Sequence, residues 1–109
     1  MDDHAGFRSR ARALLEADGY RVVGEAEDGA GALSRSRDLR PDVMLLDVQL
    51  PDFDGFEVIR RLPDDGHRPA VVLTSSRDAA DYGRKIAASG ARGFIPKAEL
   101  SGTMLRGIL

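Results

Sequence analysis

Asp47 is the residue of this sequence whose type and setting most strongly favour chemistry. It directly follows the apolar run at 43–46 and precedes a turn-forming segment at 51–55. A buried strand excludes charge, so this carboxylate is predicted to lie where the strand leaves the core. In an open parallel sheet, the carboxyl ends of the strands form the edge at which ligands bind.

Two more carboxylates, Asp2 and Asp3, stand directly before the first predicted helix. Taken alone, they would be a helix cap with favourable charges at the helix N-terminus. If Asp2 and Asp3 lie beside Asp47 at one edge of a sheet, however, the three carboxylates repel one another unless a cation binds between them. Oxygen ligands of this kind suit Mg²⁺, so the acidic residues favour a magnesium site.

Lys97 and two hydroxyl side chains are predicted to fall on the same edge. Lys97 is one of only two lysines among the 16 basic residues, the other being Lys85. A lysine offers a compact charge that can reach a phosphoryl oxygen, although an ordinary exposed loop lysine is the simpler interpretation. Thr74 and Ser75 follow the apolar run at 70–73, where a polar turn is the alternative.

The spacing of apolar residues predicts the elements that must position these side chains. Helical spacing alternates with short continuous apolar runs along the chain. The predicted helices cover residues 7–17, 29–37, 55–62, 78–89 and 99–109, and the predicted strands cover residues 20–26, 43–46, 70–73 and 93–95. This alternation implies βαβ crossovers and a mainly parallel sheet with helices on both faces, so the predicted fold class is α/β.

The composition suits one domain and argues against several classes of protein. The 109 residues are 42% hydrophobic and 31% charged, which fits a single globular core over residues 1–109. A net charge of −2 argues against a general nucleic-acid surface, and no apolar run approaches the roughly 20 residues of a membrane span. The absence of cysteine rules out disulfides and thiolate metal sites and fits a cytoplasmic protein. We expect any output domain to lie on another polypeptide.

Four separated segments together resemble the receiver domain of two-component response regulators. They are Asp2-Asp3, LLDVQLPDFDG at 45–55, LTSS at 73–76 and GARGFIPK at 90–97. The resemblance spans essentially the whole chain, and the 44-residue step from Asp3 to Asp47 is the usual one in the family. It implies a flavodoxin-like, doubly wound parallel sheet of five strands in the order 2-1-3-4-5. The subclass most similar to this sequence usually carries a helix-turn-helix DNA-binding domain, which these residues do not include.

The resemblance also implies a role for each candidate side chain. Asp47 would be the phosphoacceptor, taking a phosphoryl group from a histidine kinase or a small phosphodonor. Asp3, Asp47 and the backbone carbonyl of Gln49 would bind Mg²⁺ directly, and Asp2 would act through a metal-bound water. Lys97 and Mg²⁺ would neutralise the transferred oxygens. The chain would thus catalyse its own phosphorylation and dephosphorylation without being an enzyme for other substrates.

A switch hydroxyl and a switch aromatic residue complete the implied set. The spacing of 22 residues to Lys97 favours Ser75 as the hydroxyl, whereas the start of the strand favours Thr74, and of the two Ser75 is preferred. Phe94 matches the aromatic position, with an ordinary core residue as the alternative. Output is expected through helix four, strand five and helix five, including Tyr82, to a homodimer or a downstream partner, without direct DNA binding by this chain and without a membrane.

Two departures from the family pattern stand out. Lys97 is followed by Ala98 in place of the common proline, so a cis Lys-Pro bond cannot form. The chain also opens directly into a helix, so that most of the central first strand is missing and two inner strand edges would be unpaired. We therefore expect the given start to lie inside a longer gene product or the chain to be truncated. A chain that does begin at Met1 is expected to exchange strands with a second copy, to pair strands two and three directly, or to fold poorly.

Other functional classes fit the sequence less well. An aspartate-nucleophile phosphatase of the haloacid dehalogenase type needs a second acid two residues after Asp47, where Gln49 stands. A flavin-binding flavodoxin would need a hydroxyl- and glycine-rich phosphate loop in place of Asp2-Asp3-His4. The remaining alternative is a non-phosphorylated interaction module with the receiver fold, in which the acidic pair at the terminus does not hold metal.

Overall fold

The computed structural model describes residues 1, 4–63 and 68–109, so the predicted acidic pair, Asp2 and Asp3, lies outside the described residues. Helices and strands alternate in these ranges. The helices are α1 (Ala5–Ala17), α2 (Gly29–Leu39), α3 (Gly55–Arg61), α4 (Lys85–Ala88) and α5 (Gly102–Ile108), and the strands are β1 (Val43–Asp47), β2 (Ala70–Ser75) and β3 (Gly93–Pro96). Short 3-10 turns cover Ala79–Asp81 and Lys97–Glu99.

Three helices begin at side chains that cap their first turn. Asp28 accepts a hydrogen bond from the Gly31 backbone N–H at 2.6 Å before α2, and Asp54 accepts one from the Glu57 N–H at 2.9 Å before α3. Ser101 caps α5 in the same way. A cap of this kind typically stabilises a helix by about 1 kcal/mol. These local signals set where each helix starts.

The three strands form one parallel sheet in the order β1-β2-β3. The register pairs Asp47 with Thr74 and Ser75 with Pro96, so the carboxyl ends of all three strands lie at one edge. Successive side chains point to opposite faces, and each face carries its own apolar cluster. The α2 and α3 side contains Met44, Leu46, Phe56, Val58, Val71 and Leu73; the α1 and α5 side contains Val72, Ile95 and Leu105.

The predicted strand over residues 20–26 is absent from this sheet. In the described part of the chain, the segment pairs with no strand. In the order 2-1-3-4-5 its only neighbour would be the first strand, so the backbone lacks an edge with which to pair. Side chains hold the segment in place instead, because Arg12 Nη1 lies 2.7 Å from Glu25 Oε2 and Arg8 Nε lies 3.4 Å from Glu25 Oε1.

Several predicted elements also differ in their extent. The predicted helix over 78–89 is interrupted at Gly83, whose φ of 58° lies in the left-handed region and cannot continue a right-handed helix. Strand β2 continues through Thr74 and Ser75, so the two hydroxyls lie within the strand rather than after it. The last helix starts at Gly102 rather than at 99. None of the helices in the described ranges has the length and apolar character needed to cross a membrane.

Candidate functional site

Asp47 ends β1 and is almost completely buried, with 2% of its surface exposed. Its Oδ1 accepts a hydrogen bond from the Gln49 backbone N–H at 3.0 Å, and its Oδ2 lies 2.9 Å from Lys97 Nζ. A carboxylate removed from water is costly unless it is paired and hydrogen-bonded. The lysine and the backbone N–H meet both conditions at this edge of the sheet.

Lys97 directly follows β3, and its side chain is only 13% exposed. Besides the ion pair with Asp47, its Nζ lies 4.6 Å from the ring centroid of Phe7 and 3.4 Å from His4 Nδ1. A cation above an aromatic face is attracted by the ring electrons. Lys97 is therefore not an ordinary exposed loop lysine. The contact with Phe7 was not predicted, because apolar spacing places this residue only on the core side of α1.

The two candidate hydroxyls have different surroundings. Thr74 lies beside Asp47 in the register, is 1% exposed and donates from Oγ1 to the Ile95 carbonyl at 2.6 Å. Ser75 is fully buried, and its Oγ lies 2.6 Å from Tyr82 Oη. Successive strand residues point to opposite faces, so the two hydroxyls belong to different sides of the sheet. The register thus favours Thr74 as the neighbour of Asp47, whereas the spacing to Lys97 favours Ser75.

Phe94 belongs to a row of aromatic rings on the Ser75 side of the sheet. The ring of Tyr82 lies 5.8 Å from that of Phe56 and 5.8 Å from that of Phe94, with interplanar angles of 69° and 57°. Edge-on and tilted contacts of this kind are the favoured geometry for aromatic pairs. Sequence reasoning placed Tyr82 on the output surface but missed its hydrogen bond to Ser75, for which no local pattern gives a signal.

The loop after Asp47 is folded tightly onto the end of β1. The Gly55 backbone N–H donates to the Val48 carbonyl at 2.8 Å, and a Cβ on Gly55 would lie 2.6 Å from the Asp47 carbonyl oxygen. A residue with a side chain would therefore push the loop away from the strand. Glycine at this position keeps the Gln49 backbone, which supplies a predicted metal ligand, close to the buried carboxylate.

Asp52 joins this loop to the first turn of α2. Its two carboxylate oxygens accept hydrogen bonds from the backbone N–H groups of Gly29 at 2.7 Å and Ala30 at 2.9 Å. Desolvation raises the pKa of Asp52, but hydrogen bonds from Ala30, Gly29 and Phe53 together outweigh it and hold that pKa below its ordinary value of 3.8. The charge also lies at the favourable end of the helix dipole.

Asp52→Asn is expected to lower the unfolding midpoint at pH 7 but not at strongly acid pH. Because the pKa of Asp52 is depressed in the folded chain, its stabilisation is fully present above pH 3.8 and is lost as the pH falls through the folded value. Urea unfolding of the parent chain and of the Asp52→Asn variant at pH 7 and pH 2.5 measures the difference between their midpoints. Asp38→Asn, an exposed change near the other end of α2, is the control. If Asp52→Asn lowered the unfolding midpoint equally at both pH values, the prediction would be contradicted.

The described residues supply part of the predicted metal site. Asp47 and the Gln49 carbonyl offer oxygen donors, as Mg²⁺ prefers, whereas Asp2 and Asp3 are not described. Within the described ranges, no three His, Asp or Glu side chains are grouped so that they could hold a metal ion. The donor type therefore fits magnesium.

The family model of the response regulator receiver domain matches residues 1–107. The chain belongs to this family. The receiver domain is 38% identical, over 91% of its residues, to a protein of Pseudomonas aeruginosa described as a transcriptional regulator, and it covers 48% of that protein. It is 35% identical, over 91% of its residues, to the virulence-factor transcription regulator BvgA of Bordetella pertussis, of which it covers 47%. The receiver domain thus spans about half the length of the curated relatives it matches.

Solved structures agree with this assignment. The signal receiver domain of the response regulator NarL from Mycobacterium tuberculosis superposes with a TM-score of 0.82 at 35% identity, covering 98% of this receiver domain and 90% of the other chain. The predicted flavodoxin-like receiver fold is confirmed, with three strands of the sheet in the described residues. As a receiver domain, the chain is a signalling module of two-component systems.

Proposed function

We propose that residues 1–109 act as one receiver domain that accepts a phosphoryl group on Asp47 from a partner histidine kinase and relays it by a change of conformation. The observation that carries this proposal is the buried pair of Asp47 and Lys97, 2.9 Å apart at the edge where the strands end. A nucleophilic carboxylate and a nearby cation are the two groups that phosphoryl transfer to an aspartate requires.

In the proposed step, an Asp47 carboxylate oxygen attacks the phosphorus of a phosphohistidine on the kinase. A P–O bond forms and the P–N bond breaks, with its electron pair returning to the imidazole nitrogen, so that the product is an acyl phosphate. The Lys97 ammonium then balances charge on the phosphoryl oxygens, which is the main task in this chemistry.

Magnesium would be held by Asp3, Asp47 and the Gln49 backbone carbonyl, with Asp2 acting through a bound water. When bound, the ion supplies positive charge for the transferred oxygens. The hydrogen bond from the Gln49 N–H to Asp47 Oδ1 helps this function, because it fixes the carboxylate relative to the peptide group of the loop. The carboxylate is therefore oriented before any donor arrives.

Incubation with acetyl phosphate and Mg²⁺, followed by intact-mass measurement, tests the proposal. We expect a gain of one phosphoryl group that hydroxylamine removes, as it does for acyl phosphates, and that excess EDTA prevents. If circular dichroism shows the chain to be folded and its mass does not increase, the chain is instead a non-phosphorylated interaction module.

Thr74→Ala and Ser75→Ala form a matched pair that assigns the switch hydroxyl. Because Thr74 lies beside Asp47 in the register, we expect its loss to slow phosphoryl incorporation by about tenfold or more, the equivalent of one hydrogen bond to a charged group. Ser75→Ala, which removes a bond to Tyr82 on the other face, is expected to change the rate much less. Initial rates from quenched samples measure the effect. The reverse order of rates would assign the role to Ser75.

Output is proposed to pass through the surface formed by α4, β3 and α5. Tyr82 and Phe94 on this surface are both half-buried and in contact with each other. Ser75 lies on the Phe94 side of the sheet, so movement of its hydroxyl toward the modified Asp47 would open space into which the Phe94 ring can turn, whereas Thr74 lies on the opposite side. The protein that responds to this change of conformation is proposed to be a second copy of the chain or a downstream protein partner.

A further inference from the structure

The Ser75 hydroxyl is held by two groups that lie outside its own strand. Ser75 is fully buried, its Oγ lies 2.6 Å from Tyr82 Oη, and the same Oγ accepts a hydrogen bond from the Arg77 backbone N–H at 3.1 Å. A serine hydroxyl has one proton and two lone pairs, so the bond from Arg77 leaves it able to donate to Tyr82 or to accept from it. These two partners both belong to the segment that follows β2.

The ring of Tyr82 is fixed by contacts that do not involve Ser75. Its centroid lies 5.8 Å from the ring centroids of both Phe56 and Phe94. Its backbone N–H donates to the Ala79 carbonyl at 3.1 Å and so closes the 3-10 turn. The neighbouring rings and the turn therefore determine where the phenol lies, and the phenol in turn determines where the Ser75 hydroxyl points.

The bond to Tyr82 directs the Ser75 hydroxyl away from the Asp47 carboxylate. Tyr82 packs on the α2 and α3 side of the sheet, against the apolar cluster that contains Leu46. Asp47 follows Leu46 in β1 and so points to the other side, as Thr74 does in β2. A serine side chain occupies one of three staggered positions about a single bond, so its hydroxyl cannot bond on both sides at once. Any approach of Ser75 to a phosphoryl group on Asp47 must therefore break its bond to Tyr82.

We propose that the Tyr82 hydroxyl is a positioning group that holds Ser75 in its orientation in the unmodified chain, and that phosphorylation of Asp47 breaks this hydrogen bond. The inference rests on the proposed function, because it takes Asp47 as the modified residue. A bond that exists only in the unmodified conformation stabilises that conformation. Tyr82 thereby sets part of the free energy that the phosphoryl group must supply to change the conformation.

The side-chain rotamers of Ser75 in the unmodified chain test the first half of the proposal. NMR scalar couplings between Hα and Hβ of Ser75 are expected to show one dominant rotamer in the full parent chain. Tyr82→Phe keeps the ring and removes only the hydroxyl, so the minor rotamers are expected to gain population by about fivefold, as the loss of one neutral hydrogen bond allows. Tyr20→Phe makes the same change directly after α1 and is the matched control, with no change of rotamers expected. Unchanged rotamers in Tyr82→Phe would overturn the positioning role.

The near-ultraviolet absorption of Tyr82 tests the second half of the proposal. The sequence has two tyrosines and no tryptophan, so in the Tyr20→Phe variant the tyrosine band comes from Tyr82 alone. Adding Ser75→Ala to this variant gives a reference spectrum of Tyr82 without its partner. After incubation with acetyl phosphate and Mg²⁺, we expect the band of Tyr20→Phe to shift toward the reference spectrum and the band of the double variant to stay in place.

The outcomes distinguish failure of this proposal from failure of the proposed function. If intact mass shows no phosphoryl group, the proposed function fails together with the second half of the proposal, whereas the rotamers of Ser75 still decide whether Tyr82 positions it. If the mass rises but the Tyr82 band does not shift, the bond survives phosphorylation, so the proposal is overturned while the proposed function stands. An equal band shift in the double variant would also overturn the proposal, because that shift arises without the Ser75 hydroxyl.

Discussion

Asp47→Asn is expected to abolish phosphoryl incorporation from acetyl phosphate completely. The amide that replaces the carboxylate has nearly the same shape but is not a nucleophile, so the chemistry is lost. Because Asp47 is 2% exposed and lies next to Lys97, the substitution also removes one partner of the ion pair, and circular dichroism of the variant verifies its fold.

Intact-mass measurement after a long incubation gives the result, and Asp54→Asn provides the matched control. Asp54 is an exposed carboxylate in the same loop, and asparagine also caps helices well, so this variant should incorporate a phosphoryl group as the parent chain does. Incorporation that persists in Asp47→Asn would place the modified group elsewhere and would falsify the assignment.

Lys97→Ala is expected to destabilise the chain by about 3 kcal/mol, a large part of the stability of a small domain. The substitution removes the Lys97 ammonium from beside the buried Asp47 carboxylate, and the hydrogen bond from Gln49 remains. Breaking a buried ion pair by removing one partner costs about 3–5 kcal/mol, and the retained bond favours the lower end of that range. Urea unfolding without Mg²⁺ measures the loss.

A double-mutant cycle separates the ion pair from other effects of the lysine. In the Asp47→Asn background, Lys97→Ala should cost much less, because the Asp47 carboxylate with which Lys97 forms its ion pair is already absent. Lys85→Ala is the control, since Lys85 is exposed in α4 and its substitution should change stability by no more than about 0.5 kcal/mol. An equal cost of Lys97→Ala in both backgrounds would show that the ion pair is not the cause.

The elements that carry the site could be predicted from sequence because each has its own local signal. Strand β1 is a continuous apolar run that ends in a charge, and helices α2 and α3 start after Asp28 and Asp54, which are good capping residues. Because parallel strands place their carboxyl ends at one edge of the sheet, Asp47 and Lys97 were expected to lie close together. Their contact at 2.9 Å follows from topology rather than from distance along the chain.

The features that could not be predicted depend on partners distant in sequence. Residues 20–26 have strand-like composition, yet a strand forms only where another edge is available to pair with it. The helix over 78–89 is interrupted at Gly83, whose left-handed conformation is permitted but not required by its residue type. The bond between Ser75 and Tyr82 joins two side chains from separate elements. The roles of Asp2, Asp3 and the other candidate site residues stay predictions.

Besides its ion pair with Asp47, Lys97 contacts the aromatic ring of Phe7. The aromatic face, 4.6 Å from Nζ, attracts the ammonium but offers it no lone pair, so it restrains the position of the charge without directing its protons to one acceptor. The ammonium can therefore turn from a carboxylate oxygen toward a newly attached oxygen while staying over the same ring.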